Sequence, residues 1–542
     1  MAPVMFRRVM FRRLWMIPAI SCLFLASCQK ETQVERANRE GILLVGNSAE
    51  PKALDHQLVT GVVESKIITA LFEGLVADHE SQDDASVPGA AASWEHNADM
   101  TEWTFRLRPD GKWSDGAPVT AHDFVFAYHR LLHPDFAGPY AEMLYFIQNA
   151  EDFNKGKIPD FSQVGVKAVD DFTLQVKLRE PVPYLPSLTR HYTWFPVPRH
   201  VVLQHGKMTD RFTKWSVLPN LVGNGPFRIT EWRFHDFIEV KRNPQYWNAA
   251  NVGLNGIRFY PIENPYTETR AFLAGQLHTT YQLPPDLIRT VKKNEPEFLC
   301  QQTYVATTFV RVNTTRPALA DPRVRQALSS AIDRDQICQF ITEGFLPASS
   351  LTPKMGAYQP DPRLGFDPEK ARMLLADAGF PNGAGFPIFS LLISRPSARA
   401  SAEAVQAMWS RHLNIRVNIQ NKDWGSYVSA QQSLNFDMAM AAWTGDYLDP
   451  TTFLNMWTKG NGNNNTGWSD ARYEGLLRDA ALKSDQAERF TLFREAEGQL
   501  MDAQPILPIS YQCRNYLLRP EVKGWYPLLL DNHPWEAIRL ER

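Results

Sequence analysis

Cysteine is scarce and scattered, with five in 542 residues, at positions 22, 28, 300, 338 and 513. No CxxC occurs and no cysteine stands at ligand spacing from a histidine, so nothing points to a zinc site or a dense disulfide scaffold. Basic excess is missing too: 57 Lys and Arg face 59 Asp and Glu, which argues against a nucleic-acid partner. No repeat of fixed period and no low-complexity tract is found. The GxSxG, HExxH, Walker A and GxGxxG signatures are all absent, and the thirteen histidines do not cluster. The glycine-rich Gly223-Asn224-Gly225-Pro226 reads as a turn, because Pro226 removes an N–H that a phosphate cradle would need. Acid pairs such as Asp83-Asp84 and Asp170-Asp171 lie in turn-like polar stretches, where solvated carboxylates are the norm. No catalytic residue, metal or cofactor is therefore expected.

A long apolar run is also lacking. The longest, Leu14 to Ala26, is too short for a permanent membrane helix, and it follows Arg7, Arg8, Arg12 and Arg13. This is the pattern of a secretory signal. It ends in Leu25-Ala26-Ser27-Cys28, which resembles the lipobox of bacterial lipoproteins; a plain signal peptide cut nearby is the competing reading. The resemblance implies removal of residues 1–27, acylation of Cys28 and a polar tether over 28–40. Gln29 after the cysteine implies outer-membrane sorting in an enteric envelope. Removing 1–27 takes away four arginines and no acid, so the formal charge moves from −2 to −6. Cys300, Cys338 and Cys513 then remain, either as one disulfide with an odd thiol or as three buried thiols.

What is present is ordinary folded sequence, 44% hydrophobic, and long enough for two to four domains. Aromatic residues make up 12%, which suits either a lined cavity or deep cores. Gly41 to Gly46 reads as a buried strand and 61–76 as a helix. Trp103, Phe105 and Leu107 alternate with polar residues as in a half-exposed strand closed by the Pro109-Asp110-Gly111 turn. Thr120 with Asp123 predicts a capping box, and His133-Pro134 predicts the stop of that helix. Hairpins are predicted at 166–178 and in the segment after Pro226, with a Pro-rich connection at 181–198. Helices are predicted over 322–342 and 368–378, started by Asp321-Pro322 and Asp367-Pro368 and, for the second, ended by Gly379. The alternation of strands and helices indicates an α/β protein with mixed sheets.

The segment AAWTGDYLDPTTFLNMW, Ala441 to Trp457, places two carboxylates just after an apolar strand-like run, Phe436 to Trp443. Asp449 before Pro450 is accounted for as a helix cap. Asp446 has no such local role, and the carboxyl ends of strands in open α/β sheets are where ligands are received.

These segments resemble the peptide-binding lipoproteins and periplasmic proteins of bacterial ABC importers, the large solute-binding class that includes the oligopeptide-binding proteins. The matching stretches are LFEGL (71–75), AASWE (91–95), WTFRLRPDGKWSDGAPVTAHDFVFAYHRL, SQVGVKAVDDFTLQVKLREPVPY (162–184), GNGPFRI, RNPQYW (242–247), DPRVRQALSSAIDR (321–334), DPEKARMLLADAGF and GDYLDPTTFLN. The resemblance implies a two-lobed, three-domain protein closing by a hinge. Domain I would comprise 41–72, 199–305 and 513–542, domain II 73–198 and domain III 306–512. It further implies that Asp446 pairs with the α-ammonium of a bound peptide. Main chain around Ala442, Thr444 and Val62 would pair with the ligand backbone as added strands. Tyr140 would touch the ligand and Trp443 wall its first pocket, with simple packing as the competing reading for both. Where the best-known members carry an arginine six residues before the aspartate, this chain has Met440. Arg399 and Arg311 occupy positions of a histidine and an acidic pocket residue; each is read first as a solvated surface charge, with an anionic ligand group as partner if it faces the cleft.

The implied function is a lipid-anchored, monomeric, non-enzymatic receptor on the periplasmic side of the cell envelope. It would bind short peptides and pass them to an ABC permease with its membrane and ATPase subunits. Murein peptides, dipeptides or a chelated metal on the same fold, an extracytoplasmic hydrolase and a peptide-sensing receptor are the alternatives.

Overall fold

The computed structural model describes residues 31–394 and 398–541. Residues 1–30, with the signal and Cys28, lie outside them. The expected α/β architecture is found, built on three larger sheets. One has the order Ile42–Gly46, Gly256–Tyr260, Phe237–Arg242, Phe227–Arg233, with a parallel first pair. The second is antiparallel: Ala91–His96, Glu102–Leu107, Thr173–Lys177, Val166–Asp170. These two share one apolar core, in which Phe105, Leu174, Phe227 and Ile257 are sealed from solvent.

The third sheet runs Leu346–Pro347, Ile506–Leu517, Leu299–Val312, Met438–Thr444, Phe389–Ile393, Val417–Asn421. Helices cover both of its faces. Val310, Val312, Met438 and Met440 enter one core, and Val305, Phe309 and Ile506 another. That is why Phe436 to Trp443 reads as a nearly continuous apolar run. The two lobes are joined by the long strands Leu299–Val312 and Ile506–Leu517. Their antiparallel register breaks between the pairs Thr303↔Cys513 and Thr307↔Tyr511.

Local signals are realised where the chemistry is local. Thr120 and Asp123 form the reciprocal capping box of helix Ala121–Leu132, which ends at His133. Asp321 and Asp367 cap their helices by accepting from Arg323 N and Lys370 N. The 322–342 segment is two helices, Pro322–Ser330 and Arg334–Phe340, because Asp333 accepts from Gln336 N and starts a new one. The polar stretch expected as a tether is corrected as well. From Gln33 to Glu40 it is a helix, with a Thr32–Glu35 capping box and with Val34 and Ala37 buried against the first sheet. Cys300, Cys338 and Cys513 are free thiols, which excludes the disulfide reading, but only Cys338 is buried and the other two are half-buried, which corrects the expectation of three buried thiols.

Candidate functional site

Strand Met438–Thr444 is built to leave one edge open. Along one side it pairs antiparallel with Leu299–Val312 from Met438 to Thr444; along the other, the pairing with Phe389–Ile393 stops at Ala439. Gly445 N donates to Val305 O at 2.7 Å, which sets the phase of the ladder. Backbone groups of alternate residues point to opposite edges, so Gly445, Trp443 and Ala441 face the long strand, and Thr444, Ala442 and Met440 face outward. The Met440 carbonyl is already taken by the Tyr427 hydroxyl. Ala442 and Thr444 are exposed, and among the described residues no strand covers their edge. An open edge of this kind is a template for an added strand.

The turn after the strand is fixed by Thr452. Trp443 Nε1 donates to Thr452 O at 2.8 Å, and Asp446 N donates to Thr452 Oγ1 at 3.2 Å. Glycine is required at 445, since a Cβ there would lie 2.6 Å from Val305 Cγ1. The turn therefore holds Asp446 beyond the end of the open edge. Its neighbour Tyr447 is buried in the core of the other lobe, stacked on Tyr184 with centroids 5.6 Å apart.

The two acids of the turn have opposite surroundings. Asp449 is buried and chelated by Arg489, with Nη1 at 2.5 Å and Nη2 at 2.8 Å, and it accepts from Thr451 N and Oγ1 at 3.0 and 2.7 Å. Its capping role is as expected, and the ion pair adds a second. Asp446 has no cationic partner among the described residues. Burial, and then the negative charge of Glu142, push its carboxyl up to about 6. Its field reaches across the cleft: Tyr140 is pushed up to about 12 by burial and then by Asp446. Tyr192, Tyr304 and Tyr447 are raised by burial first, with Asp446 contributing to each.

Other expected contacts fall differently. Tyr140 is half-buried, edge-on to His191 at 5.7 Å, and within the field of Asp446. Val62 is not extended: backbone of strand type ends at Gly61 (φ −93°, ψ 146°) and Val62 opens helix Val62–Leu71, since the apolar 3.6-residue spacing begins there. Its N–H, in the first helical turn, has no intrahelical acceptor, so the residue could donate to a ligand but not as a strand. Met440 lies with its side chain in the lobe's core, 5% exposed, and reaches no cleft. Arg399 is an exposed first-turn residue paired with Glu403 at 3.0 Å, as a solvated charge would be. Arg311 contradicts that reading for itself, being 9% exposed. Tyr192, Tyr304 and Glu142 carry no motif and escape a reading of the sequence, and Tyr447, though it stands in the GDYLDPTTFLN stretch, is given no role by it; the fold gathers them from segments far apart along the chain.

Residues 85–465 match the family described as bacterial extracellular solute-binding proteins, family 5 Middle. The chain is similar to the periplasmic oligopeptide-binding protein OppA of Salmonella typhimurium, 36% identical over 497 residues, covering 89% of each chain. Among solved structures it is similar to the unliganded open form of the periplasmic murein tripeptide binding protein MppA, with a TM-score of 0.78, 31% identity, and coverage of 92% of this chain and 97% of that one. Haemophilus influenzae OppA in complex with the peptide RPPGFSPFR follows with a TM-score of 0.76, 31% identity, and coverage of 93% and 99%.

Proposed function

Because the chain belongs to the bacterial extracellular solute-binding proteins of family 5, a family of binding proteins and not of enzymes, we propose that it captures short peptides with a free amino terminus and delivers them to an ABC importer. The observation that carries this reading is the unpaired carboxylate of Asp446, held past the end of an open strand edge between two lobes. An α-ammonium supplies the missing cation. The outward N–H and C=O groups of Ala442 and Thr444 supply backbone pairing that is indifferent to side chains. Trp443, anchored through its indole to Thr452, stands beside the first ligand residue, and Tyr140 contacts the ligand from the opposite lobe. Similar proteins are named for oligopeptide and murein tripeptide binding, in keeping with this ligand class.

The division into domain I (41–72, 199–305, 513–542), domain II (73–198) and domain III (306–512) belongs to the same proposal. Its hinge is the register break at Thr303 to Thr307, where few ladder bonds resist bending. Similar proteins are named periplasmic, and the chain is assigned to that side of the envelope, held there by acyl chains on Cys28 as a monomer that docks on the membrane subunits of a permease. Among the described residues no helix is long and apolar enough to cross a membrane. Native mass spectrometry of gently purified mature protein, followed by denaturing release, tests the ligand class. A ladder of short peptides with free amino termini is the expected result; a single non-peptide mass or a metal overturns it.

A further inference from the structure

The chain is held from Glu31 onward. Arg39 grips the Glu31 carboxylate with both of its terminal nitrogens, and Thr32 closes the capping box with Glu35. Val34 N then donates to Gly275 O at 2.9 Å. Thr32 lies so close to Gly275 that a Cβ on the glycine would meet the threonine Cβ at 3.0 Å. Val34 and Ala37 complete the seat by entering one core with Phe272, Leu277 and Ile288. Cys28 is therefore three peptide steps from fixed structure, a reach of at most about 11 Å. A loose tether running to residue 40 would reach about 40 Å. With acyl chains on Cys28 buried in a bilayer, the corner where Thr32 meets Gly275 is drawn down to the headgroups.

The side chains at that corner suit such a surface. Helix Pro265–Leu273 runs into Gly275, and its Arg270 and Leu273 and the following Ala274 are exposed together, because residues three and four apart share a helix face. Leu273 is 50% exposed, an apolar side chain turned away from the core that its neighbour Phe272 enters. Arg36, exposed on Gln33–Glu40, makes no ion pair among the described residues. Nor does Arg270, whose Nη2 donates to Thr267 Oγ1 at 3.0 Å. The acids beside Thr32 are already taken, Glu31 by Arg39 and Glu35 by the Thr32 backbone N–H and hydroxyl. What remains on offer is two guanidinium groups, which bind phosphate oxygens well, and one apolar side chain.

We propose that the corner formed by Thr32, Gly275 and Leu273 is the membrane-facing surface of this protein, seated on the phospholipid headgroups of the bilayer that holds Cys28. Leu273 lies among the headgroups, and Arg36 and Arg270 meet their phosphates. The inference rests on the Cys28 anchor proposed above. The lobe carrying Ile42–Gly46 is then the membrane-proximal one, and the short reach confines delivery to a permease in the same bilayer.

The test uses mature lipidated protein in vesicles of phosphatidylethanolamine and phosphatidylglycerol. It carries the photocrosslinker benzoylphenylalanine in place of Leu273 or, as a control, of Met373, an apolar side chain of the other lobe that is 67% exposed. Intact mass reads the acyl chains on Cys28 and, after irradiation, the phospholipid adducts. The yield of adduct at position 273 is expected to be on the order of tenfold that at 373, since depth in the headgroup layer decides contact with lipid. A Gly-Ser insert of about ten residues after Lys30, which adds roughly 17 Å of reach, is expected to bring the yield at 273 down to the control. Arg36→Glu combined with Arg270→Glu is expected to lower it as well, while tetra-alanine binding stays unchanged. Equal yields at the two positions in acylated protein, or a yield that neither the insert nor the charge reversal lowers, overturn the surface and leave the anchor standing. Absence of acyl mass on Cys28 in protein taken from its own membrane overturns the anchor, and the surface falls with it.

Discussion

Tyr184 and Tyr447 lie face to face across the junction of the lobes, with centroids 5.6 Å apart and planes 6° from parallel. Arg489 sits over the outer face of Tyr184 at 4.8 Å while it chelates Asp449, and Phe146 meets Tyr447 edge-on at 6.4 Å. Asp446, held by Thr452 of its own lobe, thus has as its neighbour a tyrosine packed on Tyr184 and Phe146 of the other. Replacing Tyr447 with Ala removes a buried stacked ring, and a loss of ~3 kcal/mol in urea unfolding is expected. Small-angle scattering of the same variant should report a larger radius of gyration, because the contact that draws the lobes together is gone.

The two acids of the turn give a paired prediction. Asp449→Asn strands the buried Arg489, and removing one partner of a buried ion pair costs about 3–5 kcal/mol, so the melting temperature should drop by several degrees. Asp446→Asn removes a carboxylate that has no cation to lose, and its melting temperature should match or exceed wild type. Peptide affinity moves the other way. Asp446→Asn should weaken binding by a factor on the order of hundreds to thousands, from the same pair energy now applied to the ligand ammonium. Calorimetry and thermal melts on both variants check this.

Binding should depend on pH with a definite sign. In the empty protein Asp446 titrates at about 6, raised by burial and by Glu142. In the proposed complex the ammonium pairs with the ionised form only, so binding would favour deprotonation and release a proton wherever the carboxyl is still protonated. Affinity should be level well above pH 6 and fall as pH drops below it, approaching tenfold per pH unit. Titrations at pH 7.5, 6 and 5 in buffers of different ionisation enthalpy read both the slope and the proton. Asp446→Asn should flatten the profile.

The phase of the edge strand gives a further test. Ala442 N–H points away from Leu299–Val312, so proline there removes no ladder bond, and proline is tolerated on such an edge. Ala442→Pro should keep the fold by circular dichroism and weaken peptide binding about two- to tenfold, the measure of one hydrogen bond. Ala441→Pro, whose N–H faces the long strand, should fold poorly. Equal behaviour of the two variants would mean that the phase inferred from Gly445 and Val305 is wrong.

Elements governed by neighbours along the chain are legible in the sequence itself. The caps at Thr120, Asp321 and Asp367, the hairpin at Asp170-Asp171 and the strand before Asp446 all follow from residues within four or five positions of one another. The helix Gln33–Glu40 carries a readable Thr-x-x-Glu signal, obscured by its polar composition. Asp446 stands out because nothing local explains it. Arg311 and Tyr447 are illegible for the converse reason. Burial of a guanidinium between Phe309, Trp457 and Gln431, or of a tyrosine against Tyr184, is decided by segments more than a hundred residues apart, and no periodicity records it. The sequence pattern places Val62 in a helix, as found; its pairing as an added strand is implied only by the family resemblance, and strand-type backbone stops one residue earlier, at Gly61.

The proposed peptide-receptor function rests above all on the proposed pairing of Asp446 with an α-ammonium. Titration of the wild-type protein with tetra-alanine and with its N-acetylated form at pH 7.5, where the carboxylate is ionised, isolates that one contact. Tight binding of the free amine is expected, with a loss of at least a hundredfold on acetylation. Equal affinity for the two peptides would mean that Asp446 does not read the amino terminus.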